Sequence, residues 1–416
     1  MSSRLLIDAG IGEVRAAHIR DNRLHALYIH HEESPSDLGN IYGARIIKAG
    51  GGQDLFLDLG NGQQAHMSVR RAKADGRKTL PTEGTLLPVQ IIREAQGHKL
   101  AEVTTRLRLA GRYVVLDKRI SGGFLIRKDH EAKEVEQDML ARTFDTLEHE
   151  AGLLHQAPQG LEQMLMNCPE VDDICISDPA LFTEAQKLCQ NWPDLAPLLK
   201  RSFDTLSLFS EHELDGDIEA ILSGHIPLSN GGWIDIAETE ALCAIDVNSG
   251  DAPALDCNIL AAREIAHQLR LQNIGGLIVI DFIDMQEKGA WSKVLSAFDK
   301  AIKEDKARIS RTAPSQFGLI EVNREKSGPS FRQRFTRKTK TPPNIPFQAH
   351  ALLREAKSVG SQNQPGDLLL EAPSDILQWL DRHSELLTQL GQFSQRPIKM
   401  QIGLASRALL VKKESP

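Results

Sequence analysis

The sequence predicts a multidomain protein of mixed α+β and α/β class. Three observations carry this. A length of 416 residues at 41% hydrophobic composition leaves room for two or more cores. Residues 37–118 hold short strand candidates punctuated by glycine, and residues 244–284 read as strand, helix, strand. The opening Met1-Ser2-Ser3-Arg4-Leu5-Leu6-Ile7-Asp8 lacks the apolar run of a signal peptide and no segment reaches transmembrane length, so a cytoplasmic location without a membrane segment is expected. Cys168, Cys175, Cys189, Cys243 and Cys257 are odd in number and widely spaced, which predicts reduced, mostly buried thiols.

In chain order, Leu5-Leu6-Ile7 and Val14-Arg15-Ala16-Ala17-His18-Ile19 read as a hairpin that pairs with the region near 151–225, with Asp8 in a turn. Strand candidates at 41–47, 54–59, 64–69 and 87–92 have the spacing of a small barrel. Residues 116–150 are highly charged, with Glu131, Lys133, Glu134, Glu136 and Asp138 in a helical run. Helices are predicted at 161–166 and 185–188 around a strand at 174–176. The end of the chain reads as helices near 349–357 and 374–391 before a strand at 398–402.

The most informative local pattern is a pair of acids. Ala244-Ile245-Asp246 and Gly276-Leu277-Ile278-Val279-Ile280-Asp281 each end an apolar run in a carboxylate. Leu277-Ile278-Val279-Ile280 shows no polar alternation, which predicts a strand covered on both faces with Asp281 at its carboxyl end. Between the acids, Ala262, Ile265, Ala266 and Leu269 repeat at helical spacing, and Asn273-Ile274-Gly275-Gly276 supplies a stop. A right-handed crossover then brings Asp246 and Asp281 to one sheet edge. Two such carboxylates repel unless a cation neutralises them, and hard oxygen ligands suit Mg²⁺ or Mn²⁺. Asn248, on the same strand face as Asp246, is placed to orient it. The alternative is that each Asp is an unrelated cap or turn residue. Asp284 reads as a turn residue or a support behind the ligands, and Glu321 as an extra acid or a salt-bridge partner.

A net charge of −7 gives no general attraction for nucleic acid, so any phosphate binding must be local. Arg324, Lys326, Arg332, Arg334, Arg337, Lys338 and Lys340 face only Glu325, with Phe331 and Phe335 interleaved. That segment either follows an RNA backbone and stacks bases or is a solvated basic linker, since Pro342, Pro343 and Pro346 follow.

Three blocks together resemble the catalytic core of the ribonuclease E/G family. They are Gly231-Gly232-Trp233-Ile234-Asp235-Ile236 with 239–250, Glu264-Ile265-Ala266-His267-Gln268-Leu269-Arg270-Leu271 running into 275–285, and Phe317-Gly318-Leu319-Ile320-Glu321. The match is specific over about 205–330 and weaker, in the same order, elsewhere. The resemblance implies an RNase H-like subdomain from 1–36 and 151–225, interrupted by an OB-fold β-barrel for RNA at 37–118 and a reduced 5′-sensor-like segment at 119–150. It further implies a DNase I-like catalytic subdomain at 226–330, a basic proline-containing linker at 331–346 and a small C-terminal α/β domain at 347–416.

On the same resemblance, Asp246 and Asp281 match the Mg²⁺ ligands and Asn248 the residue that hydrogen-bonds the first of them. Phe56 falls at one RNA-stacking aromatic position, Met67 at the second, and Lys99 in a region of basic RNA contacts; for Phe56 a core role is the other reading. Gly111, Val115, Arg142 and Thr143 fall at a 5′-monophosphate pocket, although much of that subdomain is missing. Relatives carry a Cys-x-x-Cys zinc link between subunits. No cysteine follows Cys257, so no zinc link is expected, and a homodimer would form without a shared zinc. An extended acidic or arginine-rich tail is also absent from the sequence, so a degradosome scaffold is not expected.

The resulting expectation is a Mg²⁺-dependent endoribonuclease that hydrolyses single-stranded RNA to 5′-phosphate and 3′-hydroxyl ends, in rRNA processing, mRNA turnover or both. The reading from another class is an RNA-binding regulatory protein with weak or lost nuclease activity; such a protein would be free to lose Asp246, Asn248 or Asp281, and all three are present. A general phosphodiesterase or DNase is disfavoured by the barrel-like insert.

Overall fold

The computed structural model describes residues 2–49, 54–74, 81–95, 99–147, 150–203, 207–326, 328–335 and 344–411. The chain forms two compact units, one of Ser3–Leu5 with Tyr28–Ser202 and one of Met1–Ser2, Leu6–Leu27 and Phe203–Pro416.

The unit containing Tyr28–Ser202 is built on a closed, OB-like five-stranded barrel. Strands Ile41–Ala49, Asp54–Asp58, Gln64–Ser68, Ala101–Thr104 and Leu86–Arg93 are neighbours in that order, and the last pairs back with the first. All four strands expected from the sequence are present, joined by the short Ala101–Thr104. Alternate residues point inward, so Leu55, Leu57, Met67, Val89 and Val103 fill the barrel. Each such side chain contributes roughly 1.5–3 kcal/mol by leaving water.

In the same unit, helix Lys133–Asp145 is more than the solvated charged face its composition suggests. Glu136 is buried, and its carboxylate accepts from the backbone N–H groups of Arg112 (2.8 Å), Tyr113 (2.7 Å) and Val114 (2.9 Å) and from the Trp192 indole (3.2 Å). Arg112 in turn lies on Asp194 at 2.7 Å, where Lys128 (2.6 Å) and the Tyr113 hydroxyl (2.5 Å) also donate. Burial opposes ionisation of Asp194, but these hydrogen bonds outweigh it and hold the carboxyl far below the usual range. Helices Gly160–Met166 and Pro179–Leu188 flank strand Asp173–Ile176, as expected, and the strand pairs in parallel with Leu199–Arg201.

The other unit is dominated by a six-stranded sheet, with β1 (His225–Pro227), β2 (Trp233–Glu238), β3 (Cys243–Asn248), α1 (Ala254–Leu271), β4 (Gly276–Asp281), α2 (Ala290–Ala301), β5 (Ile309–Arg311) and β6 (Leu319–Arg324) in sequence. The strand order is β1-β2-β3-β4-β6-β5, and only β3 and β4, joined through α1, run in parallel. The strand-helix-strand reading therefore holds. Ile234, Ile245, Ile278, Ile280 and Val322 cover one face, packed under Ala262, Ile265, Ala266 and Leu269 of α1 and Val294 and Phe298 of α2. Asn273 ends the helix in the left-handed region, at φ 52°.

Three expectations are corrected here. Strand β4 is covered on one face only: Ile278 and Ile280 are buried, whereas Leu277 is 45% exposed and Asp281 is exposed. Apolar residues on both faces mimic a fully buried strand in sequence while one face stays open. Asp8 lies in strand Ser3–Ala9 rather than in a turn, buried and accepting from Arg15 (3.0 Å) and the Ser207 hydroxyl (2.7 Å). In the C-terminal part, helices Ile345–Gly360, Ser374–Arg382 and Ser384–Ser394 share a core with the sheet of Asp367–Ala372, Ile398–Ile402 and Arg407–Val411. The single helix expected over 374–391 breaks at His383. Among the described residues no helix is long and apolar enough to cross a membrane, and all five cysteines are buried free thiols.

Candidate metal centre and nucleic-acid interface

The open face of the six-stranded sheet carries a straight row of titratable side chains. His225 on β1 is the register partner of Asp235 on β2, Asp235 of Asp246 on β3, and Asp246 of Asp281 on β4. Register partners point to the same side of a sheet, and neighbouring strands lie about 4.8 Å apart, so the row crosses four strands in roughly 14 Å. Asp246 and Asp281 thus meet as the crossover predicts.

Each acid has a different environment. Asp235 is saturated: Oδ1 receives His225 Nδ1 at 2.8 Å, while Oδ2 receives the Trp233 indole N–H at 2.9 Å and Asn248 Nδ2 at 3.4 Å. The same Asn248 amide donates to Asp246 Oδ2 at 3.0 Å, so one N–H₂ group spans two carboxylates and sets the orientation of Asp246. Asp281 receives no hydrogen bond among the described residues; partial desolvation of its exposed carboxyl, with Asp246 and Asp284 beside it, pushes it up from the ordinary range. A lone carboxylate raised by neighbouring acids is one that a divalent cation would return to the charged form, so the oxygens of Asp246 and Asp281 suit a hard cation. Asp284 stands in the loop after β4, which Asn258 of α1 clamps in place. Its fully buried amide donates to Ile283 O (2.8 Å) and accepts from Ile283 N–H (3.1 Å).

The profile of the Ribonuclease E/G family matches residues 92–327, more than half of the chain. The chain belongs to the ribonuclease E/G family. Ribonuclease E of Escherichia coli K12 is 29% identical over 79% of this chain and 37% of that protein. A chloroplastic ribonuclease E/G-like protein of Arabidopsis thaliana is 28% identical over 65% of this chain and 33% of that protein. Ribonuclease G of Salmonella typhimurium is 25% identical over 79% of this chain and 80% of that protein. The chain therefore spans about two fifths of the ribonuclease E it matches and four fifths of the ribonuclease G.

Other residues singled out by family resemblance are placed unevenly. Phe56 is half-buried on the outer side of its barrel strand, between the inward-pointing Leu55 and Leu57, and Lys99 is exposed. Met67 is 0% exposed inside the barrel, so it has no face to offer a base, and its RNA-binding assignment is withdrawn. Gly111 donates its N–H to Val114 O at 2.8 Å and sits so close to Glu136 that a Cβ would fall 2.4 Å from that carboxyl carbon. Val115 lies in strand Val114–Leu116. Arg142 is exposed on helix Lys133–Asp145, and the Thr143 hydroxyl donates to Met139 O at 3.0 Å.

The basic segment does not act as one patch. Arg324 is buried on Asp305 at 2.8 Å, and Phe331 and Phe335 are buried 4.7 Å apart, with Phe347 5.4 Å from Phe335. These are core aromatics rather than base platforms. Lys326 and Arg334 are exposed, and Arg337, Lys338 and Lys340 lie outside the described residues. Glu321 is exposed on the open face opposite Val279, with no salt bridge among the described residues, so the salt-bridge reading fails. Sequence reasoning missed Asp235: only the β2–β3 register, eleven residues apart in the chain, links it to Asp246.

Proposed function

We propose that the protein is a Mg²⁺-dependent endoribonuclease that hydrolyses single-stranded RNA to 5′-phosphate and 3′-hydroxyl ends, in rRNA processing or mRNA turnover. The observation that carries this is the direct register pairing of Asp246 with Asp281 on an open sheet face, in a chain of the ribonuclease E/G family. Asp246 and Asp281 would hold the cation, Asn248 fixes the first carboxylate, and Asp235 fixes Asn248. When bound, Mg²⁺ supplies charge neutralisation at the scissile phosphate and a water of lowered pKa. Without a countercharge, the acids repel the phosphodiester, so cleavage should depend wholly on the ion. Phe56 on its barrel strand and Lys99 just before the strand Ala101–Thr104 would contact the RNA there.

The test is cleavage of a 5′-monophosphorylated single-stranded RNA with Mg²⁺ or with EDTA, by wild type and Asp281→Asn. Cutting undiminished in the variant sinks the metal assignment. A 5′-hydroxyl substrate cut at the same rate would show that Gly111, Val115, Arg142 and Thr143 do not read the RNA end. RNA binding without any Mg²⁺-dependent cleavage would favour a regulatory RNA-binding protein instead.

A further inference from the structure

Two aromatic side chains flank the paired acids, Trp233 on the open face of β2 and Phe317 on the turn that leads into β6. Trp233 on β2 is the register partner of Asn248 on β3. Its indole N–H is committed to Asp235 at 2.9 Å, and the His225 ring, held on the same carboxylate, lies 5.8 Å from it at a tilt of 42°. The indole edge is therefore fixed while its ring remains partly exposed. On the far side of the acids stands Phe317, 78% exposed.

Phe317 sits on a turn built to hold it. The Ser315 hydroxyl accepts from the N–H groups of Phe317 (3.3 Å) and Leu319 (3.2 Å), and Gly318 N–H donates to Ser315 O at 3.0 Å. Gly318 has φ +79°, a left-handed conformation that a side chain would strain. Leu319 is the register partner of Asp281, and a Cβ on Gly318 would lie 4.0 Å from Asp284 Oδ1, so the turn stands at the acidic end of β4. A single exposed phenylalanine is ordinary. One presented on a bonded turn beside paired acids has a position that burial does not explain.

Electrostatics says what these rings can do. The acid row repels phosphate except where a cation sits, so a single strand needs uncharged attraction on either side of that point. Stacking supplies it, because every base has a π-face. We propose that Trp233 and Phe317 are base-stacking platforms for the nucleotides flanking the scissile phosphate, so that single-stranded RNA crosses the strands of the sheet with its phosphodiester over Asp246 and Asp281. This rests on the nuclease reading above. Three strand spacings separate β2 from β6, roughly 14 Å, so the two bases are splayed apart rather than stacked on each other.

The test uses the full chain with Asp281→Asn, to block cleavage, titrated with a short oligoadenylate and followed by tryptophan fluorescence. Stacking quenches the signal. Adding Trp233→Leu abolishes that quench and weakens binding by about tenfold, whereas Phe317→Leu weakens binding by about tenfold and keeps the quench. Trp233→Phe and Phe317→Tyr restore the affinity, which separates stacking from a folding defect. Cleavage by Mg²⁺-loaded wild type, with affinity within twofold in both leucine variants, overturns the platforms and leaves the nuclease intact. No cleavage by wild type, with affinity lost in both leucine variants, overturns the nuclease reading and supports the platforms as an RNA site.

Discussion

Two groups of carboxylates in this protein are built in opposite ways. Around Glu136 and Asp194, backbone N–H groups, an indole, a phenol, a guanidinium and an ammonium converge on two carboxylates until their charge is answered. Along the row Asp235, Asp246, Asp281 the supply of donors runs out: Asp235 is saturated, Asp246 has the Asn248 amide, and Asp281 has only other acids beside it. The same side-chain chemistry holds a fold in one place and is left available for a ligand in the other. What differs is the number of donors aimed at it.

The sharpest way to break this contrast is to remove one acid from each group. Asp281→Asn should lower cleavage by about a thousandfold, the equivalent of several kcal/mol in the transition state, and leave the urea midpoint at or above that of wild type because repulsion is relieved. Asp194→Ala should instead cost about 3–5 kcal/mol of stability, because it strands the buried Arg112. Equal stability losses in the two variants would collapse the distinction. Asn248→Ala comes next: freeing Asp246 should reduce activity about 10- to 100-fold, seen chiefly as a higher Mg²⁺ requirement in cleavage assays.

Acid pH separates stabilising groups of opposite kind. His267 is buried, and burial together with Arg23, Arg270 and His25 lowers its pKa to about 3. Its folded value is below its unfolded one, so the unfolded chain takes up the proton first and stability is lost as pH falls from 6.5 toward 3. At pH 5 the share of His267 should be about 2 kcal/mol, read as the part of the fall in urea midpoint that His267→Gln removes, while His25, also lowered, to about 4, keeps its own. Asp194, also depressed, keeps its full contribution at pH 5 and loses it only as pH falls below 3.8 toward its folded value. The smallest expected effect lies in the barrel: Phe56→Ala should weaken single-stranded RNA binding about fivefold by fluorescence anisotropy, with Met67→Leu unchanged.

The acid pair was legible because an apolar run ending in Asp is a local signal, and a crossover helix with clear periodicity forces two such ends together. Asp235 was not legible. Trp233-Ile234-Asp235-Ile236 reads as an ordinary alternating strand, and its role depends on a hairpin register that no short window contains. Glu136 was hidden for the opposite reason. A helix crowded with charges reads as solvated, and its burial is decided by Arg112 to Val114 and Trp192, more than twenty residues away on either side. Phe331 and Phe335 misled because aromatic residues between arginines look alike whether they face RNA or Phe347.

The Asn258 clamp has a further consequence for timing. By gripping both backbone groups of Ile283, it ties the loop bearing Asp284 to the body of helix α1. The loop that follows Asp281 is thereby held to the helix that also joins the two acid-bearing strands. A cation held there as proposed would meet a site already in place, so its uptake would wait on encounter and on shedding of the ion's water shell rather than on folding of this loop.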